Sequence, residues 1–77
     1  MKELVAFIAE HIVDNVEDIE IEEDVVDSEI NLTLKVNPDD MGKVIGKQGK
    51  TANSIRSILK ACAIKEEKKV TLNIESI

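Results

Sequence analysis

The residues best suited to bind a ligand lie together in the segment Gly46-Lys47-Gln48-Gly49. Two glycines three positions apart, with helical patterns on both sides, predict a tight turn that leaves backbone amides unpaired at the start of the second helix. Unpaired amides and the positive end of a helix dipole attract phosphate groups. The segment therefore predicts a phosphate-binding loop, and single-stranded nucleic acid is the ligand class that such a loop would hold by its backbone. Lysines in and beside the loop add positive charge: Lys43, Lys47 and Lys50.

The tripeptide Gly49-Lys50-Thr51 suggests a different phosphate site, because the phosphate loop of nucleotide triphosphatases ends on a similar string. That loop needs another glycine five positions before Gly49, and this position is Val44. The element before the loop also has the pattern of a helix, whereas the triphosphatase loop follows a strand. We therefore reject a nucleotide triphosphatase.

The side chains that most often catalyse reactions or bind metals are sparse. Cys62 falls on an apolar stripe with Ile55 and Leu59, which favours a small core residue over a nucleophile. His11 borders the apolar face of the first helix, and packing is favoured there because no cysteine or second histidine accompanies it. The acidic residues between positions 17 and 29 lack the spacing of a calcium loop. The sequence therefore predicts no enzyme, no metal site and no cofactor.

Charge is distributed unevenly along the chain. The net charge of −6, taken alone, opposes a nucleic-acid partner. Residues 1–40 carry a charge of −11, however, and residues 41–77 a charge of +5. The loop therefore lies in a basic region, although two solvated basic helix faces would give the same composition. No acidic residue lies between Met41 and Lys65, whereas six basic residues do: Lys43, Lys47, Lys50, Arg56, Lys60 and Lys65.

The N-terminal half predicts one helix and two strands. Apolar residues recur at spacings of three and four from Lys2 to about Asp14, which is typical of an amphipathic helix with Phe7 at the edge of its apolar face. Apolar and polar residues alternate over residues 19–22 and 30–36, which predicts two half-buried strands. The acidic stretch between them favours an antiparallel hairpin as the shortest connection.

The C-terminal half predicts two helices around the loop and a third strand. The segment Asn37-Pro38-Asp39-Asp40 marks a helix start, with Asn37 as N-cap and both carboxylates near the positive end of the dipole. This helix runs to about residue 45, and a second one begins at Lys50. Apolar and polar residues alternate again over residues 70–75, which predicts the last strand.

The element order αββααβ predicts an α+β fold. Two helices between the second and third strands form a crossover that sets those strands parallel. We therefore expect a three-stranded mixed sheet with the helices on one face. The other face should be solvated, because it carries Glu20, Glu22, Asn31, Thr33, Lys35, Thr71 and Asn73.

The length of 77 residues predicts one small domain, residues 1–77, and is too short for a Rossmann or barrel enzyme. The single Cys62 cannot form an internal disulfide and suits a reducing cytosol. The apolar run from Leu4 to Ala9 is bracketed by Glu3 and Glu10, so it is too short for a signal peptide or a membrane span. We therefore expect a cytoplasmic protein without membrane contact.

The loop and its flanks resemble the signature of KH domains, whose G-x-x-G loop holds the backbone of about four nucleotides. The resemblance rests on the string from Val44 to Gly49 between two helices, followed by Ile55 and Ile58 at helical spacing. The element order is similar to the bacterial type II arrangement. The length, the first helix and residues 38–58 resemble the KhpA (YlqC) family of small bacterial KH proteins over essentially the whole chain.

That resemblance implies a cytoplasmic protein that binds single-stranded RNA and acts as an RNA chaperone or post-transcriptional regulator. It also implies a homodimer, or a heterodimer with a larger KH protein of the KhpB kind, and a link to cell shape and cell wall biogenesis. No aromatic residue lies near the loop, so we expect bases to be held by aliphatic contacts and edge hydrogen bonds rather than by stacking.

The resemblance also implies a set of RNA-binding residues around the loop. It places Val44 and Ile45 in the floor of a groove, together with apolar positions of the second strand. Arg56 lies about two helical turns past Gly49, and it flanks the RNA backbone if its face points toward the loop. The implied set is Lys43, Val44, Ile45, Gly46, Lys47, Gln48, Gly49, Lys50 and Arg56.

Two classes of function stay open. An RNA-binding module is favoured by the two glycines and the stretch without acidic residues. A protein-interaction domain with a KH fold would instead use the acidic hairpin or the third helix for docking. That helix carries more apolar surface than one sheet face would cover, so we also expect self-association, with Ile58 and Ile64 exposed.

Overall fold

The computed structural model describes residues 1–77 and confirms the predicted element order αββααβ. The helices are α1 (Lys2–Glu10), α2 (Met41–Ile45) and α3 (Lys50–Lys65). The strands are β1 (Glu20–Val26), β2 (Glu29–Val36) and β3 (Lys69–Ser76). Single 3-10 turns lie at Val16–Asp18, Pro38–Asp40 and Lys47–Gly49.

The three strands form one mixed sheet in the order β1-β2-β3. β1 and β2 are antiparallel, and a turn of two residues, Asp27 and Ser28, joins them. β2 and β3 are parallel, as the helical crossover predicts, and Leu34 lies beside Ile74 in their register. β3 is therefore an edge strand whose outer side has no strand partner.

β2 forms the centre of the core. Leu32, Leu34 and Val36 have no exposed surface, and neither have Val44 of α2 and Leu59 of α3. Burying a Leu or Val side chain contributes about 1.5–3 kcal/mol. The two helices that flank the loop are thus held against the middle strand. The opposite face is solvated as predicted, and its residues are exposed or half-buried: Glu20, Glu22, Asn31, Thr33, Lys35, Thr71 and Asn73.

α1 ends at Glu10, so its predicted extension to Asp14 is wrong. The amides of Asp14 and Asn15 bond to the carboxylate of Asp40, at 3.2 and 3.0 Å, and therefore do not continue the helical ladder. Val13 is still buried, since the chain turns back over the core after the helix. The apolar spacing beyond Glu10 reflects burial of a turn rather than a longer helix.

Three side chains lie nearer the surface than the sequence predicts: Phe7, His11 and Cys62. Phe7 is 59% exposed, and its ring centroid lies 4.5 Å from that of His11. His11 also donates from Nδ1 to the Phe7 carbonyl at 2.7 Å, so the pair lies on the surface of the helix rather than at the edge of the core. Cys62 is half-buried at the margin of the core instead of inside it.

β1 is longer than predicted, because it includes the acidic stretch that was expected to connect the strands. Asp24 pairs with Asn31, and Val25 with Ile30, up to the two-residue turn. Pairing of backbones does not require apolar side chains, and this end of the hairpin extends beyond the helices. Val25 and Val26 are accordingly about half exposed.

α3 ends in a Schellman motif built without glycine. Lys68 donates its amide to the Ala63 carbonyl at 2.9 Å, and Glu67 to the Ile64 carbonyl at 3.0 Å. Glu67 takes the left-handed conformation that this motif requires, with φ of 56°. The turn leads directly into β3.

Candidate nucleic-acid interface

Gly46 gives the loop its shape. Its backbone angles, φ 76° and ψ 172°, lie in a region that is open almost only to glycine. A Cβ at this position would lie 2.7 Å from the Cβ of Thr51 and 2.8 Å from its backbone nitrogen. The loop therefore folds back closely onto the first turn of α3.

The second half of the loop is left-handed. Gln48 has φ of 58° and Gly49 has φ of 76°. A Cβ on Gly49 would have room, since the nearest atom, Nδ2 of Asn53, is 3.8 Å away. Backbone conformation alone thus selects glycine at Gly49, whereas conformation and space both select it at Gly46.

The loop leaves backbone donors open at the start of α3. Because Gly46 ends the helical path of α2, the amides of Lys47 and Gln48 have no preceding helical turn to donate to. The amides of Gly49 and Lys50 bond within the loop. No side chain caps α3, and the side chains of Lys47 and Gln48 are exposed. This arrangement presents amides and positive charge together, as a phosphodiester requires.

Asp40 fixes the segment that leads into the loop. Its carboxylate is 1% exposed and accepts hydrogen bonds from the Asn15 amide at 3.0 Å, the Asn15 side chain at 3.1 Å and the Asp14 amide at 3.2 Å. Burial raises the pKa of Asp40, but these hydrogen bonds and the charge of Lys43 outweigh it and hold the pKa below its usual value. The predicted N-cap is also present, because Asn37 accepts from the Asp39 amide at 2.8 Å.

Sequence reasoning placed Asp40 near the positive end of the helix dipole but did not predict its main role. It joins α2 to the turn after α1, a contact 25 residues away along the chain. Local sequence gives no signal for this clamp, since an exposed aspartate in the first turn of a helix has the same pattern.

Lys43 is tied to the same clamp. Its amine pairs with the carboxylate of Asp14 and lies 3.9 Å from that of Asp40. The hydrogen bond to Asp14 raises the pKa of Lys43, so the amine is charged at neutral pH. The charge of Lys43 is therefore shared with two carboxylates, unlike the charges of Lys47 and Lys50, which have no ion-pair partner in the chain.

The two apolar residues before the loop have different positions. Val44 is completely buried in the core beneath the loop, so its side chain does not reach a groove floor. Ile45 is 38% exposed and can contact a ligand directly. The helical step between neighbours turns one side chain inward and the next outward.

Arg56 points to β3 and not to the loop. Its Nε donates to the carbonyl of Leu72 at 3.2 Å, and its Nη1 donates to Oδ1 of Asn53 at 3.3 Å. The contact lies in a shallow groove of about 200 Å³ between α3 and the edge strand, lined by Arg56, Leu59, Lys60, Val70, Thr71 and Leu72. Sequence reasoning placed the groove at Val44 and Ile45 rather than between α3 and β3, because the position of the groove depends on which strand lies at the sheet edge.

The groove lies along α3, the helix that begins directly after the loop. This helix runs antiparallel to β3, since Arg56 lies by Leu72 and the later Lys60 lines the groove with the earlier Val70. A strand held at the loop can therefore continue along α3 toward the start of β3. Exposed basic residues lie along this course at Lys47, Lys50, Arg56 and Lys60.

Comparison with known proteins decides the family. The family model described as "KhpA/KhpB, KH domain" matches residues 2–74. The chain belongs to the KhpA/KhpB KH-domain family. It is 55% identical to the RNA-binding protein KhpA of Clostridium perfringens over 74 residues, which cover 96% of this chain and 99% of that protein. It is 39% identical to the RNA-binding protein KhpA of Bacillus subtilis over 74 residues, covering 96% of this chain and 91% of that protein.

Membership in the family confirms the expected fold class. The three-stranded mixed sheet with three helices is that of a type II KH domain. The family is one of RNA-binding KH domains and not an enzyme family. No group of three or more His, Cys, Asp or Glu residues is placed to hold a metal ion, and no helix has the length and apolar character needed to cross a bilayer.

Proposed function

We propose that residues 1–77 act as one KH domain that binds single-stranded RNA through the loop from Gly46 to Gly49. The observation that carries the proposal is the loop itself, in which two glycines with positive φ hold open amides beside an exposed lysine. Relatives over nearly the whole chain bear the name RNA-binding protein, which supports the same ligand.

In this proposal the residues around the loop have separate tasks. The amides of Lys47 and Gln48 and the charge of Lys47 bind the phosphodiester backbone, and Lys50 adds charge at the start of α3. Ile45 contacts a sugar or base. Two members of the predicted set act indirectly: Val44 supports the loop from the core, and Lys43 holds the clamp around Asp40.

The electrostatic part of binding should be modest. Lys47 and Lys50 are the exposed lysines at the loop that have no ion-pair partner in the chain. Each phosphate neutralised on a single strand adds about −0.7 to the slope of log affinity against log salt. Two such contacts predict a slope of about −1.4. A single domain therefore binds weakly and without strong sequence discrimination from charge alone.

We extend the proposal to the cellular role that the family resemblance implies. The protein would act in the cytoplasm as an RNA chaperone or post-transcriptional regulator, as a homodimer or with a KhpB-like partner, and would affect cell shape and cell wall biogenesis. Ile58 and Ile64 support an interface on α3, because they are 46% and 64% exposed. The same surface favours a second candidate function, a docking domain with little RNA binding.

The test replaces Lys47 and Gln48 together by aspartate. Asp tolerates the left-handed backbone of Gln48, and both glycines stay in place, so the fold should be retained. Two carboxylates would then face the phosphate, and affinity for single-stranded RNA should fall by at least about tenfold. Fluorescence anisotropy measures the affinity, and circular dichroism melting measures the fold.

The control replaces Asp24 and Asp27 by asparagine at the far end of the hairpin. Asparagine also tolerates the positive φ of Asp27, and binding should be unchanged or slightly stronger. Should the loop variant melt like the parent and bind single-stranded RNA equally well, the loop is not the RNA site and the proposal is refuted. A parent that binds no single-stranded RNA would instead favour the docking function.

A further inference from the structure

The outer edge of β3 presents backbone groups to the groove beside α3. Lys69 and Ile77 donate their amides toward β2, to carbonyls 2.8 and 2.9 Å away, so the odd-numbered positions of this segment face the sheet. The N–H and C=O of one strand residue point to the same side. The outward-facing residues are therefore Val70, Leu72 and Ile74.

Arg56 covers one of these outward groups. Its Nε donates to the Leu72 carbonyl at 3.2 Å, and the bond from Nη1 to Asn53 holds the guanidinium in place. The Leu72 carbonyl lies in the groove, whose lining includes Arg56 and Leu72 from opposite sides. The Leu72 carbonyl, the main hydrogen-bond acceptor at this point of the groove, is thus already bound to the guanidinium of Arg56.

This contact changes what the groove can recognise. The Leu72 amide is still a donor, and the guanidinium has further N–H groups beyond the two in use. A second donor that approached the Leu72 carbonyl would meet the positive charge of Arg56. At this point the groove therefore offers donors, and a base that binds here must supply acceptors.

Adenine differs in this respect from cytosine and guanine. Adenine presents its N6 amino group beside N7 on one edge and beside N1 on the other, so each of its edges pairs an acceptor with a donor. Cytosine has adjacent acceptors at O2 and N3, and guanine has O6 and N7, which a guanidinium can bind with two hydrogen bonds.

We propose that Arg56 is a specificity-determining residue that directs the groove between α3 and β3 against adenine and toward bases with adjacent acceptors, cytosine and guanine. The inference rests on the proposed RNA-binding function and adds a base preference to it. Arg56 acts through the Leu72 carbonyl and the groove, and not by flanking the RNA backbone at the loop.

The experiment compares Arg56→Met with Lys60→Met. Methionine keeps an apolar stem in the groove but removes every donor of Arg56. Lys60 lines the same groove, carries the same charge and makes no hydrogen bond to β3, so it is the matched control. Fluorescence anisotropy gives the affinity of each variant for oligoadenylate and for oligocytidylate, and the parent is measured alongside.

Arg56→Met should free the Leu72 carbonyl and remove the donors that bind cytosine. The ratio of the adenylate dissociation constant to the cytidylate one should then fall by about tenfold, the effect of one base-edge hydrogen bond. Lys60→Met should weaken both ligands by the same factor and leave the ratio within about twofold of the parent.

The outcomes distinguish a failure of this inference from a failure of the proposed RNA-binding function. If Arg56→Met weakens both oligonucleotides equally, Arg56 supplies charge only, and the inference is overturned while RNA binding stands. If the parent binds neither these oligonucleotides nor single-stranded RNA of mixed sequence, the proposed function fails and the inference fails with it. If it binds only the mixed-sequence RNA, the inference is overturned while RNA binding stands. A parent that binds both, loses both on Lys47→Asp with Gln48→Asp, and changes its ratio on Arg56→Met supports both proposals.

Discussion

Alanine substitution of the three glycines separates backbone strain from helix propensity around the loop. Gly42 lies in α2 with open space where a Cβ would be added, Gly46 begins the loop, and Gly49 ends it. Each variant adds the same methyl group, so differences among them come from the local backbone and its neighbours.

The structure predicts a steep order among the three. At Gly46, a residue with a side chain is strained by about 1–3 kcal/mol, and the close approach to Thr51 adds a packing cost of about 1–3 kcal/mol. Gly46→Ala should therefore lower the free energy of unfolding by about 3 kcal/mol or more. Gly49→Ala has room and should cost about 1 kcal/mol. Gly42→Ala should stabilise the protein by about 0.5–1 kcal/mol.

These changes are large compared with the total free energy of unfolding of the protein. A chain of this length has a free energy of unfolding of about 4–12 kcal/mol. Urea titration followed by far-ultraviolet circular dichroism measures each change, since the chain has no Trp or Tyr for fluorescence. An unchanged dependence of the free energy on urea would show that the variants unfold from the same compact state.

The order of the variants is the decisive result. If Gly46→Ala is no more destabilising than Gly49→Ala, the contact with Thr51 does not constrain the loop, and the close fold of the loop onto α3 is wrong. If Gly42→Ala destabilises as well, the helix around Gly42 is under a constraint that the structure does not contain.

Three further predictions concern other parts of the fold. Glu67→Gly should stabilise the protein by about 1 kcal/mol, because glycine takes the left-handed position of the Schellman motif without strain; an equal urea midpoint would contradict this. Asp40 has a pKa below its usual value, so its contribution to stability is complete above the ordinary carboxyl pKa of about 4 and is lost as pH falls through the lower folded pKa. Asp40→Asn should thus be less stable than the parent at neutral pH, and the gap between their urea midpoints should narrow below about pH 4; a gap that is constant down to acid would refute the clamp. If α3 forms an interface, sedimentation equilibrium at tens of micromolar should show self-association that Ile58→Asp abolishes, whereas a parent mass of 8.5 kDa would exclude it.

The sequence was sufficient for the features that depend on local periodicity. Alternation along β2 predicted both its buried side and its solvated side, and Asn37 before Pro38 predicted the cap that the structure contains. Two helices between β2 and β3 required parallel strands, since a crossover leaves no other short connection. These inferences need only the neighbours of each residue along the chain.

Features that depend on distant partners were not predictable in this way. α1 ends early because Asp40, far along the chain, takes the amides of Asp14 and Asn15. β1 extends through acidic residues because β2 supplies backbone partners, and the composition of the stretch suggested a connector instead. The direction of Arg56 follows from β3 being the edge strand, which the element order alone does not give.

The candidate site shows the same division. The loop from Gly46 to Gly49 was predicted from its glycines, and its positive φ values follow from the residue types. The placement of its neighbours needed the fold: Val44 lies in the core, and Lys43 is engaged with two carboxylates. A basic residue near a binding loop in sequence is therefore not always a free charge at the site.

The distribution of charge also explains why a net charge of −6 does not oppose the proposed function. The acidic turn at Asp27 and the loop lie at opposite ends of the sheet, because α3 starts toward the end of β3 and β3 begins beside Ser28. β2 has eight residues, which at about 3.3 Å each separate the two ends by about 26 Å. The screening length at physiological salt is about 8 Å, so the hairpin acids contribute little to the potential at the loop.

Two of the acidic residues nearer the loop, Asp14 and Asp40, are paired with Lys43. A strand of RNA at the loop would therefore meet the local charge of Lys47 and Lys50 rather than the average charge of the chain.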